Sequence, residues 1–219
     1  MFNVSCEEML HTIELEAKLT GHMTGRPALS RRVLQAMREV PREEFVPQDS
    51  RRDAHGNFPL PIGKGQTISQ PFIVALMTDL LDLDPGYHVL EIGSGSGYQT
   101  AILSRLVARV FSVERIPELA EGARQVLQWL GYSNIELLHG DGYLGWSEHA
   151  PFDAILVTAA APRIPEVLLA QLKPGGRLVI PVGEPYRHQQ LQLIDKDAEG
   201  RLHTRKVLGV AFVPLVEGS

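Results

Sequence analysis

The chain has 219 residues, 44% of them hydrophobic and 21% charged, with a net charge of -5 and a single cysteine, Cys6. That suffices for one well-buried domain and is short for two; the acidic balance without any Lys/Arg block argues against a nucleic-acid footprint, and no apolar run approaches the ~20 residues of a spanning helix. One cysteine allows no internal disulfide and no cysteine-rich zinc site and suits a reducing compartment; the eight scattered histidines imply no metal, and residues 1–10, with Glu7 and Glu8 and no basic start, do not read as a signal peptide.

In chain order, Leu29, Val33, Leu34, Met37 and Val40 form a helical stripe that ends at Pro41. Residues 47–66, rich in Pro, Gly and charge, read as a loop. Residues 72–83 are apolar nearly all round, as in a buried helix. Strands follow at 89–92, 110–114, 135–138, 153–158 and 177–182, separated by helices near 98–108, 117–130 and 164–172. Such alternation predicts an α/β fold, a doubly wound, mostly parallel sheet with helices on both faces. Residues 191–195 and 207–213 read as two further strands, with a turn at 195–200. No internal repeat or low-complexity tract interrupts the order.

The most informative stretch is "VLEIGSGSG", residues 89–97, where a short apolar strand runs into a turn with glycine at every second position. Glycine takes positive φ and lets bare backbone approach a ligand, so a strand, glycine loop and helix form a nucleotide-type pocket; a tight strand-to-helix turn is the plain alternative. A dinucleotide fingerprint needs Gly or Ala where Tyr98 stands, which weakens that class. Glu114 ends the second strand 17 residues past Gly97, close to the roughly 20-residue offset of an acid that grips a ribose diol. Asp141 follows the third strand in "HGDG", where it could hold an adenine amino group. Either acid alone could be ordinary surface.

"VLEIGSGSGY", "FSVE", "HGDG", "APFDAILVTAAAP" and "LKPGGRLVIPVG" follow in the order and spacing of class I S-adenosylmethionine-dependent methyltransferases. With "LPIGKGQTISQP" upstream and "FVPL" near the end, the chain resembles the protein-L-isoaspartate O-methyltransferase family over about residues 29–215, and residues 1–28 resemble it only as a helical leader. Thr67-Ile68-Ser69-Gln70-Pro71 is the specific part. The resemblance implies a Rossmann-like core with an N-terminal helical extension, in one domain: residues 1–70 as the helical and substrate-loop region, residues 71–219 as the cofactor core and C-terminal strands. It implies S-adenosylmethionine as cofactor, leaving as S-adenosylhomocysteine, with Gln66, Thr67, Ile68, Ser69, Gly93, Ser94, Gly95, Gly97, Glu114, Arg115, Asp141 and Gly142 around it, and Ser69 as the active-site residue. It further implies isoaspartyl proteins and peptides as partners, no nucleic acid, no membrane and no metal, and a monomer in the cytoplasm.

The chemistry agrees. A carboxylate nucleophile, with a pKa near 4, is ionised at pH 7 and needs no general base. Methyltransferases of planar amino groups share an Asn/Asp-Pro-Pro-aromatic motif after the fourth strand, and here that position reads Thr158-Ala159-Ala160-Ala161-Pro162. An oxygen nucleophile is favoured. Ser69 precedes a buried helix and could be only its N-cap, although a capping hydroxyl still has a proton to donate to an anion. Asp153 opens the fourth strand away from the cofactor mouth and reads as structural. His55 stands where related proteins often carry an aromatic residue, just before Asn57, so the substrate side near residues 54–58 departs from the family pattern. Another carboxylate methyltransferase, a binding module without turnover and a dinucleotide oxidoreductase are the alternative functions.

Overall fold

The computed structural model describes residues 4–184 and 187–216; residues 1–3 of the helical leader lie outside them. Helix α1 (Cys6–Thr24) starts at a capping box in which Ser5 and Glu8 satisfy each other's backbone N–H, and it stops where Gly25 turns left-handed at φ 69°. Helix α2 (Arg31–Glu39) is capped by Ser30. After two 3-10 turns, Arg42–Phe45 and Gln48–Asp53, comes the hairpin of β1 (Leu60–Gly63) and β2 (Gln66–Ile68), whose tip takes positive φ at Gly63, Lys64 and Gly65. Helix α3 (Pro71–Leu80) is buried on every side, which is why its sequence shows no polar face.

The remainder alternates as expected: β3 (His88–Ile92), α4 (Tyr98–Ser104), β4 (Arg109–Glu114), α5 (Pro117–Trp129), β5 (Ile135–His139), β6 (Phe152–Val157), α6 (Glu166–Gln171), β7 (Leu172–Val182), β8 (Gln189–Lys196) and β9 (Leu202–Val210). The strands form one sheet in the order β5-β4-β3-β6-β7-β8-β9. β3 to β7 pair in parallel, β8 is antiparallel to β7, and β9 is antiparallel to β8. Successive residues serve opposite faces: Val89, Val110 and Leu156 join the core beneath α1 to α5, while Leu90, Phe111 and Ile155 join the core beneath α6. Both faces are covered, so the strands read as unbroken apolar runs.

Two regions depart from the sequence reading. The stretch 47–66 is no plain loop, since it holds a 3-10 turn and most of a hairpin. The last strand runs over 202–210 rather than 207–213; its exposed start, Leu202 to Lys206, carries the charge expected of a sheet edge and hides the strand from an apolar pattern. Asp153 accepts from His88 N at 2.8 Å and pairs with Lys173 at 2.6 Å, tying together the starts of three strands at the end of the sheet opposite the glycine turn, in keeping with a structural role.

Candidate active site

From β3 the chain winds outward through β4 to β5, then crosses back to β6 on the other side of β3. A crevice opens at the carboxyl ends of the strands at such a switch point. Here it is lined by Ile92 and Gly93 after β3, Val113 and Glu114 of β4, Gly142 after β5 and Thr158 after β6. Gly93 sits at φ 95°, and a Cβ there would lie 2.4 Å from Thr158 Oγ1; that hydroxyl donates to Gly93 O at 2.6 Å. Gly97, at φ 89°, is needed for another reason: its Cβ would press on Leu127 and Ala123 of α5 at 3.2 and 3.3 Å.

The loop is fixed from below. Gly95 N donates to Glu114 Oε2 and Ile116 N to Glu114 Oε1, both at 2.8 Å, so one nearly buried carboxylate pins the loop to the next strand–helix turn. Ser94 and Ser112 share a hydroxyl contact of 2.6 Å, and Ser112 and Thr100 both donate to Glu91 Oε2 at 2.6 Å. Glu91 is fully buried. Burial lifts its carboxyl to about 7, opposed by the hydrogen bonds from Ser112 and Thr100 and assisted by the charge of Glu114.

The opposite wall comes from the hairpin and the start of α3. Ser69 is not the cap of that helix, contrary to one sequence reading: Gln70 holds the cap position without a side-chain bond, and the early donor Phe72 N is satisfied by Asn57 Oδ1 at 3.0 Å. Among the described residues the Ser69 hydroxyl has no hydrogen-bond partner. Its backbone is held instead. Arg42, fully buried, donates from Nη2 to Ser69 O at 2.7 Å and from Nε to Ala54 O at 2.8 Å, with its guanidinium carbon 4.8 Å from the Tyr98 ring centre. The bulk of Tyr98, where a dinucleotide fold needs a small residue, thus braces the Ser69 segment, through Arg42, against α4. In the departing segment 54–58, His55 faces Glu43 at 3.3 Å and Asn57 donates to Glu16 of α1.

Gln66, Thr67, Ile68, Ser69, Gly93, Ser94, Gly95, Glu114, Arg115 and Gly142 come together around this one cavity. Gly97 and Asp141 do not line it: Gly97 packs on α5, and Asp141 accepts from Tyr143 N at 2.9 Å, fixing the turn that presents Gly142. Among the lining residues that sequence reasoning did not place in the site, two groups stand far from the glycine turn. Thr158 follows β6 at the position read only for the absence of the amino-group motif, and residues 213–216 leave the sheet and line the cavity, held by the bonds Ala160 N to Val213 O and Leu215 N to Ala160 O, each 2.8 Å. The "FVPL" string was their only signal. A second cavity, about 580 Å³, opens beside the first and shares Thr67, Ser69, Thr158 and Val213 with it. Its walls are Glu16 and Thr20 of α1, Gln70 and Ile73 at the head of α3, and the end of β9.

A cavity with a bare glycine turn, an acid at the end of the second strand and a neighbouring groove fits an adenosyl cofactor whose reactive end faces a second substrate. The comparisons agree. A family model for protein-L-isoaspartate(D-aspartate) O-methyltransferase (PCMT) matches residues 18–219. The chain belongs to this family. Protein-L-isoaspartate O-methyltransferase 2 of Syntrophobacter fumaroxidans is 56% identical over 211 residues, covering 96% of this chain and 85% of that one; the protein of the same name from Polaromonas sp. is 56% identical over 207 residues, covering 94% and 98%. Among solved structures, a Plasmodium falciparum protein assigned as a protein-L-isoaspartate O-methyltransferase, in complex with S-adenosyl-L-homocysteine, superposes with a TM-score of 0.82 at 25% identity, covering all of both chains. With membership of the isoaspartyl methyltransferase family come S-adenosylmethionine as cofactor and isoaspartyl O-methylation as reaction, as the sequence motifs imply.

Proposed function

We propose that Ser69 orients the α-carboxylate of an L-isoaspartyl residue, presented through the second cavity, toward a methyl donor held in the first. One observation carries this reading: Ser69 belongs to both cavities, and its hydroxyl is committed neither to capping α3 nor to any other described residue. S-adenosylmethionine, when bound, supplies an electrophilic methyl group on a sulfonium. The chain supplies position. Gly95 lets the loop backbone come close, Glu114 offers a charged acceptor to the ribose hydroxyls, and Gly142, presented by the turn that Asp141 fixes from outside the cavity, borders the adenine. Gln66, Thr67, Ile68 and Ser69 border the reactive end, and Arg115 closes the side of the cavity beyond Glu114. The carboxylate is ionised at neutral pH, so no residue has to take up a proton, and alignment with exclusion of water is what remains to be provided. Methylation turns a poor leaving group into methanol. The neighbouring backbone nitrogen can then expel it to give a succinimide, and hydrolysis of that ring returns part of the damage to normal aspartate.

The same reading has the chain work as a single-domain monomer in the cytoplasm on isoaspartyl proteins and peptides. Among the described residues no helix is long and apolar enough to cross a membrane. Methyl transfer to matched isoaspartyl and aspartyl peptides tests it. The two carry equal numbers of carboxylates, but only in the iso form does the α-carboxylate hang off the main chain, and misplacement by ~1 Å costs on the order of 10²-fold in rate. Strong preference for the isoaspartyl peptide, with a label released by mild base, is the expected outcome. Equal methylation of both, or a base-stable label, overturns it.

A further inference from the structure

Helix α1 leaves three large apolar side chains in solvent at four-residue spacing: Leu15, 49% exposed, Leu19, 75%, and Met23, 46%. Its buried face is made by others, Met9, Leu10, Ile13 and Ala17, so the outer stripe does nothing for the core. Four-residue spacing places the three in one row along the helix. That row adjoins the wall of the second cavity. Glu16 and Thr20 line the groove, and at about 100° of rotation per residue Met23 stands about 20° round the helix from Glu16, Leu19 about 60° and Leu15 about 100°, all to the same side. The apolar row therefore begins just outside the groove, beyond the wall that Glu16 and Thr20 form.

We propose that the Leu15-Leu19-Met23 shelf is an exosite that binds apolar side chains flanking the isoaspartyl residue in an unfolded stretch of the substrate polypeptide. This rests on the second cavity being the peptide groove. The occupant follows from that adjacency and from the chemistry of the damage. An aspartyl side chain reaches the next backbone nitrogen only where the chain is free to bend, and locally unfolded segments expose the apolar residues that folding would hide. A contiguous exposed apolar row beside a groove marks an interaction site, and here the only chain that the groove brings alongside is the substrate. A short peptide fills the groove alone; a longer one crosses that wall.

The test compares the natural sequence with the triple variant Leu15→Gln, Leu19→Gln, Met23→Gln, in which glutamine keeps helix propensity close to that of leucine and methionine. Each is assayed with a short hydrophilic isoaspartyl peptide and with the same peptide lengthened, at one end and then at the other, by leucine and phenylalanine. For one of the lengthened peptides the natural protein is expected to show the lower KM, and the variant to raise that KM on the order of tenfold, with the short peptide turned over unchanged by both. No preference in the natural protein, an equal rise for short and long peptides, or no change in the variant each overturns the exosite. So does a natural protein that elutes as a dimer, dissolved by the three substitutions with the peptide preference intact, since the shelf would then bind a second copy. Ala211→Trp, which fills the groove from the end of β9, separates the two layers of the proposal: it should depress turnover of every peptide. Full activity of that variant on the short peptide would remove the groove reading and the exosite with it.

Discussion

Glu114 holds the cofactor loop with both of its oxygens, taking Gly95 N on one and Ile116 N on the other. An ionised carboxylate has about four acceptor positions, so these bonds fix the group and leave capacity for the two ribose hydroxyls proposed to bind it. Glu114→Ala should therefore weaken S-adenosylmethionine binding about tenfold to a hundredfold, because charge-assisted hydrogen bonds are worth roughly 1.5 to 3 kcal/mol. Titration calorimetry on the folded variant checks this, and unchanged affinity would take Glu114 out of the site. The sequence exposed this acid by its offset from the glycine turn, a through-strand relation that fold geometry fixes. It did not expose the same acid's second task of clamping the turn, since backbone donors carry no side-chain signature.

The start of α3 shows what a local reading misses at the level of an element. Ser-x-Pro before an apolar run looks like an N-cap, yet the oxygen that satisfies Phe72 N comes from Asn57, which stands 15 residues upstream and is itself tied to Glu16 of α1. The cap thus falls to Asn57, which leaves Ser69 free for the role proposed for it, and the two separate by experiment. Asn57→Ala should cost about 0.5 to 2 kcal/mol of stability, whereas Ser69→Ala should leave the melting temperature nearly unchanged while lowering kcat and sparing cofactor affinity. Melting curves measured beside steady-state kinetics decide between the two; a Ser69→Ala protein that melts early but turns over normally would return Ser69 to a structural role. The parallel strands β3 to β7 were legible because burial on both faces leaves an unbroken apolar run. The β1–β2 hairpin, the charged first half of β9 and the return of residues 213–216 to the cavity were not, because each is held by turn geometry, edge pairing or long-range contact rather than by a local pattern. The four residues that join the two cavities come from three separate parts of the chain, 67–69, 158 and 213; the first carried the most specific motif and the last only the short "FVPL" string.

At the scale of the whole molecule, the central strand β3 carries a fully buried acid beneath the cofactor loop, and that choice makes global stability depend on pH. Glu91 is held by Thr100 and Ser112, but burial outweighs these bonds and lifts its carboxyl from the ordinary 4.5 to about 7. In the unfolded chain the group loses its proton near 4.5, while the folded protein keeps it until about 7. The folded state thus binds more protons across that interval, so stability falls as pH rises through it and levels off above. Stability from this group is fully present below pH 4.5 and lost by the time pH passes 7, with a total effect of the order of a few kcal/mol. Other carboxylates contribute trends of their own, so the measurement is a difference: urea midpoints of the natural protein and of Glu91→Gln, followed from pH 4.5 to 7.5. The glutamine keeps the hydrogen-bonding shape and removes the titration, so its curve should lack the decline seen in the natural protein, and above neutrality the variant should be the more stable of the two. Parallel curves over the whole range would mean that Glu91 ionises in the folded protein as easily as in water, and that water reaches it beneath the loop.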